Sequence, residues 1–454
     1  MRVGPAMAAL LLAMLGACTF NPPKVVFDQD AGTLELGVLD AEPPDTGAPD
    51  SGGADTGVED TGVPDTGAPD TGDTGVEDTG VPDTGAPDTG LPDAGVEDAG
   101  PLPPVCGNGI VELGEGCDQG GAPVSVACVD CQVATGFVCV SSPSTCAPVG
   151  RVRYVDGADP NCGPGGPFCV IDDAIDTGDT DLVVVATSTY TETLDFNGGG
   201  TSRAVVAEAG ATLTSAGQPL RVRGGAHVIF AGFTITSSGD GAVKAEGNGT
   251  TLEMRDCVIG PSPNLGVELK SGARLDLLRS VVRDNATGGL KLNSSGGYAV
   301  MNTVIIGNGG AASAVGGVHI ENGAGDDRFV NNSLAFNTSS ANPGAVWCQA
   351  QASLRNVVVW LNTPTNDPGV SVATCDTEYS LLQASLQGQG NISVDPLFID
   401  GLLRPDPTSP VRDVGDPAGT EDVGPPPGPA PIEDRGRVAR PQGQRVDMGA
   451  YELR

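Results

Sequence analysis

Chemistry in this chain of 454 residues must come from few side chains, since it holds only two histidines and two tryptophans. Two pairs late in the sequence fall at strand spacing: His319 with Glu321, and Trp347 with Gln349. Alternate residues of a strand share one side, so each pair points outward together. An outward tryptophan beside a histidine and a carboxylate suits stacking on a sugar ring with polar groups at its edge. The alternative is that a loop or the long C-terminal segment covers Trp347. Glu253 and Asp276 form another outward pair, on neighbouring turns of a different face. General acid–base catalysis needs convergent groups of opposed protonation state, and one such pair does not meet that requirement. The tripeptide Asp-Thr-Gly, which can carry a catalytic aspartate, occurs nine times between residues 45 and 90 and again at 176–178. A catalytic aspartate needs a partner carboxylate on a rigid turn, which a repetitive polar stretch cannot supply. No catalytic residue, cofactor or metal site is predicted.

Twelve cysteines are the other reactive set. Six of them, Cys106, Cys117, Cys128, Cys131, Cys139 and Cys146, follow the pattern C-x10-C-x10-C-x2-C-x7-C-x6-C. Cys128 and Cys131 have zinc-ligand spacing, but an exported chain meets oxidising conditions and no histidine precedes His227. Three disulfides are expected, in one of fifteen connectivities. Cys162 and Cys169 bracket a Gly-Pro loop that can close a short bridge. Cys257 reads as a buried free thiol. Cys348 and Cys375 lie on adjacent coils, and a bridge between them requires a sharp bend after Val372.

The elements that must hold these residues repeat. From about residue 226 a unit recurs every 23 to 30 residues, anchored on Gly232, Asp256, Arg279, Asn302, Asn332 and Asn356. Two residues before each anchor stand Phe230, Met254, Leu277, Val300, Val330 and Leu354, and three after stand Ile235, Ile259, Val282, Ile305, Ala335 and Val359. A further strand follows a Gly-rich loop, with inward columns beginning Val243, Val267, Leu290 and Ala245, Leu269, Leu292. Three short strands per unit make a coil, and stacked coils share one core. Anchor asparagines suit an αL turn, and their amides are expected to stack from rung to rung. On the strand after the loop the outward residues begin Lys244 and Glu246, Glu268 and Lys270, Lys291 and Asn293. Such opposite charges on neighbouring strands contribute about 0.2–1 kcal/mol per pair, which makes this part a solvated face.

The pattern resembles the right-handed parallel β-helix of the pectate-lyase-like superfamily, over roughly residues 151 to 454. Arg153-Tyr154-Val155-Asp156 and the stretch Ile171 to Ile175 look like its entry strand and capping helix. The ending Val446-Asp447-Met448-Gly449-Ala450-Tyr451-Glu452 looks like that of bacterial surface β-helix proteins with choice-of-anchor domains. Lyases of that superfamily need several carboxylates in one groove, and its hydrolases carry Asn-Thr-Asp and Gly-His-Gly, neither of which occurs here. Gly325-Asp326-Asp327 lies in a loop without partners for that chemistry. The stretch Cys106-Gly107-Asn108-Gly109-Ile110-Val111-Glu112 through Gly116-Cys117-Asp118 resembles the short cysteine-rich repeats of myxobacterial surface proteins.

At the start, Arg2 and the apolar run Ala6 to Leu15 read as an export signal, too short to span a bilayer. Its end, Leu15-Gly16-Ala17-Cys18, resembles the bacterial lipobox. That resemblance implies a lipid on Cys18, membrane attachment through it, and, with Thr19 next, an outer-membrane or cell-surface location. The formal charge is −35, yet no Lys or Arg lies between Lys24 and Arg151, where 24 acidic residues do. With no basic stripe to neutralise phosphates, nucleic acid is not an expected partner. Four parts follow: signal peptide 1–17, disordered acidic tether 18–104, cysteine-rich repeat 105–150, and an all-β solenoid with a C-terminal capping segment 151–454. The functional expectation is a lipid-anchored surface protein that binds polysaccharide or a surface partner. A polysaccharide lyase or glycoside hydrolase, and a structural coat protein, are the alternatives.

Overall fold

The computed structural model describes residues 106–454, apart from 112–114, 120–125, 199–201, 208–209, 341–342, 365–368, 372 and 418–432. Cys18 and the tether therefore lie outside the described residues. The body is a right-handed parallel β-solenoid of three sheets. One coil runs His227–Ala231, Thr234–Ser237 and Val243–Glu246, a strand for each sheet. The first sheet stacks ten strands, Val152–Val155 to Cys375–Glu378; the second has eight, Thr189–Thr191 to Val358–Trp360. The third has seven, from Leu194–Asn197 to Val346–Cys348. A short helix, Ile171–Ile175, packs its apolar side into the core at the entry.

Inward columns follow the parallel register. Phe230, Met254, Leu277 and Val300 stack at one height of the first sheet and are all fully buried. The next coil departs from the sequence reading by one residue. There Phe329, not Val330, pairs between Val300 and Leu354, and Leu334, not Ala335, between Ile305 and Val359. The left-handed anchor is accordingly Asn331, with φ 55°, rather than Asn332. Apolar residues stand two before either asparagine, so side-chain volume decides. Phe329 and Leu334 fill the core that Val330 and Ala335 would leave partly empty. Asn332 moves inward, and its Oδ1 accepts the Thr303 backbone N–H at 2.9 Å.

The continuous amide ladder also sits elsewhere than expected, at the turn between the second and third sheets. Asn285, Asn308, Asn337 and Asn362 are fully buried, and each of the first three donates its Nδ2 to the next Oδ1 at 2.9–3.0 Å. Ser262 closes one end and Gln383 the other. The ladder needs glycine beside it: a Cβ on Gly266 would lie 2.7 Å from Asn285 Nδ2.

Two outer faces are covered by the chain itself. Cys106 pairs with Cys131, Cys117 with Cys128 and Cys139 with Cys146. Between them the Asp118 carboxylate, fully buried, accepts the N–H groups of Gly107, Asn108 and Gly109, which explains the Cys-Gly-Asn-Gly and Cys-Asp pieces of the motif. The hairpin of Phe137–Val140 and Thr145–Pro148 lies on the outer side of the first sheet, with Val138 and Ala147 against Val152, Leu182 and Val206. The repeat therefore docks on the solenoid. On the second sheet the C-terminal segment places Leu403, Ala450 and Tyr451 over Val281 and Val304, and Val411 and Met448 over Val358. Arg279 ties the two covers together. Only 2% exposed, its guanidinium donates to the Ser142 carbonyl at 2.7 Å and to Asp256 at 3.0 Å, and lies 4.0 Å from Glu433. In the terminal motif, Arg440 and Glu452 form a wholly buried pair at 2.9 Å, and Asp447 accepts the N–H groups of Asp413 and Leu453.

Candidate functional site

No cover from the cysteine-rich repeat or the C-terminal segment packs on the outer face of the third sheet among the described apolar clusters. The parallel register lines up one outward column, Asp195, Arg221, Lys244, Glu268, Lys291, His319 and Trp347. Its upstream part is a charge ladder. Lys244 lies 3.4 Å from Glu246 and 3.6 Å from Glu268, and Lys270 lies 3.7 Å and 3.6 Å from the same two. Arg221 pairs with Glu246, and the Arg223 hydrogen bond holds the Asp195 carboxyl below its usual range. These groups satisfy one another.

Downstream the column turns from charge to rings. The His319 imidazole lies flat on the Trp347 indole, with centroids 3.8 Å apart and planes within 5°. His319 is 4% exposed, whereas Trp347 is half-buried and Gln349 exposed. His319 Nδ1 is 3.4 Å from Glu321 Oε1, and Nε2 is 3.3 Å from Gln349 Oε1. Lys291 Nζ approaches the same Glu321 oxygen at 3.0 Å. Burial pushes the His319 pKa below its ordinary value; Glu321 and the Gln349 hydrogen bond oppose this, and Lys291 adds to it. The four residues singled out in the sequence thus meet in one cluster. One detail was not legible: the register slips between Leu292 and Asn293, so Asn322 rather than Glu321 opposes Asn293. Glu321 is the extra residue of a β-bulge, a feature that re-aims side chains beside sites.

The strand carrying Trp347 is short and stapled. Cys348 and Cys375 are bonded with Cα atoms 5.5 Å apart. The chain turns at Ser371, whose carbonyl accepts the Cys375 N–H at 2.9 Å, which supplies the bend the bridge requires. Val372 lies outside the described residues. Cys162 and Cys169 are bonded as well, and Cys257 is free, fully buried, and pushed up to about 12 by burial. Glu115 sits beside Cys106 and Cys131, but their sulfurs are bonded to each other, which leaves one carboxylate and no thiolate for a metal.

On the first sheet Glu253 and Asp276 are register neighbours, as expected. Asp326, from the Gly325-Asp326-Asp327 loop, joins them through an ion pair. Arg274 bridges Asp276 and Asp326 at 3.0 Å each, while Asp327 accepts the Tyr298 N–H. Burial, partly offset by Arg274, raises the Asp276 pKa. Glu253 pairs with Arg255. These carboxylates are held by arginines rather than left convergent.

A family model described as right handed beta helix region matches residues 198–371. No curated protein and no solved structure matches the chain.

Proposed function

We propose that this is an exported, lipid-anchored cell-surface protein whose β-helix binds glycan or a surface partner through the third-sheet face, without catalysis. One observation carries the reading. The face on which neither cover packs among the described residues ends in Trp347, a half-buried indole beside exposed Gln349 and the bulged Glu321. An indole with polar groups at its edge suits the apolar face of a sugar ring and its hydroxyls. The lipobox-like end at Cys18, the myxobacterial-type repeat and the choice-of-anchor-like ending support the surface location by resemblance. Among the described residues no helix is long and apolar enough to cross a membrane. The test is a glycan array probed with the full chain carrying Cys18→Ser, alongside the same chain with Trp347→Ala added. Binding that vanishes with Trp347→Ala supports the reading, and an array negative for the unmodified face sinks its glycan form.

A polysaccharide lyase or hydrolase is the second reading, favoured by the raised pKa of Asp276 beside Glu253. Chain cleavage abolished by Glu253→Gln or Asp276→Asn would move the function to the first sheet.

A further inference from the structure

His319 is too buried to be a ligand contact, yet it is the best-connected group of the patch. Its ring is fixed by Trp347 on one face, by Glu321 at Nδ1 and by Gln349 at Nε2. A neutral imidazole offers one N–H and one lone pair, whereas the imidazolium offers two N–H groups. As placed, both neighbours present oxygen acceptors, an arrangement that only the imidazolium satisfies. A neutral ring can donate through Nδ1 to Glu321, but its Nε2 then accepts. The Gln349 amide must turn about its last bond to offer Nε2–H instead, a rotation that the hydrogen-bond network alone decides. Gln349 is exposed, so whichever half of the amide is not spent on His319 faces outward.

We infer that His319 is a positioning residue whose protonation sets which half of the Gln349 amide faces the ligand, so that the Trp347 platform reverses its hydrogen-bond polarity with pH. The inference rests on the reading of Trp347 and Gln349 as the ligand-facing groups. With His319 neutral, Gln349 presents its carbonyl and takes a ligand hydroxyl as donor. With His319 protonated, it presents its NH2 and takes an acceptor such as a carboxylate or ether oxygen. The charged groups facing the ring are Glu321 on its own strand, which favours the proton, and Lys291 on the preceding strand, which opposes it. The following strand brings Trp347 and Gln349, which are uncharged; the indole face attracts an imidazolium. Burial outweighs these attractions, so the change falls on the acid side of the ordinary histidine range.

The test needs no ligand. The full chain with Cys18→Ser, labelled in its histidine and glutamine side chains, is followed by NMR from about pH 8 to about pH 4.5. Only two histidines are present, so the His319 resonances are identified by their loss in His319→Phe. The expected result is a His319 midpoint below the ordinary histidine value of about 6.5, with the Gln349 side-chain amide resonances moving at the same midpoint. His319→Phe, which keeps a ring against Trp347 but carries no proton, abolishes the Gln349 movement. Gln349 resonances that stay in place while His319 titrates would overturn the inference in the unmutated protein, whatever the variant does. An empty glycan array would remove the glycan reading and leave the switch intact; a still Gln349 would do the reverse.

Discussion

The covered and the open faces of this solenoid solve the same problem in opposite ways. On the second sheet, outward Val281 and Val304 are as buried as core residues, because the C-terminal segment lies on them. On the third sheet, the outward column is Lys244, Glu268 and Lys291, each half-buried and satisfied by a neighbour one coil away. Outward polarity therefore tracks where the chain folds back on itself. What breaks the rule is informative: His319 and Trp347 lie on the open face and are not charged ladder members.

The sharpest way to break the comparison is to place one charge on each kind of face. Val304→Asp puts an unpaired carboxylate under Ala450 and Tyr451, and is expected to cost about 3–5 kcal/mol and release the C-terminal segment to protease. Glu268→Lys, at a half-buried position away from that segment, should leave the protease pattern unchanged. Equal sensitivity at both positions would mean that the C-terminal segment is not packed as described. The inside of the first sheet offers the next largest effect. Phe329→Ala should cost about 3–5 kcal/mol by thermal denaturation, and Val330→Ala clearly less. The reverse order would restore the register anchored on Asn332.

Acidification separates the two ends of the open face. Because His319 has a lower pKa folded than unfolded, the unfolded chain takes up the proton more readily. Its contribution to stability is present above the ordinary histidine value of about 6.5 and is lost as the pH falls through the folded value. His319→Phe should therefore flatten the fall in melting temperature on that acid side, and an unchanged profile would place His319 in water. The smallest expected effect belongs to the ladder. Glu268→Ala should lower stability by about 0.2–1 kcal/mol, and less at high salt.

The fold was legible because inward residues obey two periods at once, that of the strand and that of the coil. The single slip came where Asn331 and Asn332 stand together and either one satisfies the pattern. There only side-chain volume distinguishes Phe329 from Val330, and a column of types does not weigh volume. The amide ladder was missed for a related reason. Asn285, Asn308, Asn337 and Asn362 recur at 23 to 29 residue spacing, but the anchor turn drew the asparagines into the wrong column. Of the site, the four members were readable from alternation, since His319, Glu321, Trp347 and Gln349 all point outward. Their distances were not. The bulge that re-aims Glu321 and the flat stack of His319 on Trp347 depend on register and burial. The docking of the cysteine-rich repeat was equally invisible, because Arg279 looks like any turn residue until Ser142 and Glu433 are brought to it.

The central claim is that the open face, at its ring end, is where this protein meets its ligand. The direct measurement is calorimetric titration of the strongest array glycan into the full chain with Cys18→Ser, repeated with Trp347→Ala and with Glu268→Ala. Truncating Trp347 is expected to weaken binding by at least about tenfold, roughly 1.4 kcal/mol, in a chain that remains folded at the titration temperature. Glu268→Ala should leave affinity within about twofold, since its partners are the ladder lysines. Binding that survives Trp347→Ala and falls with Glu268→Ala would contradict the account and move the site up the face to the charges.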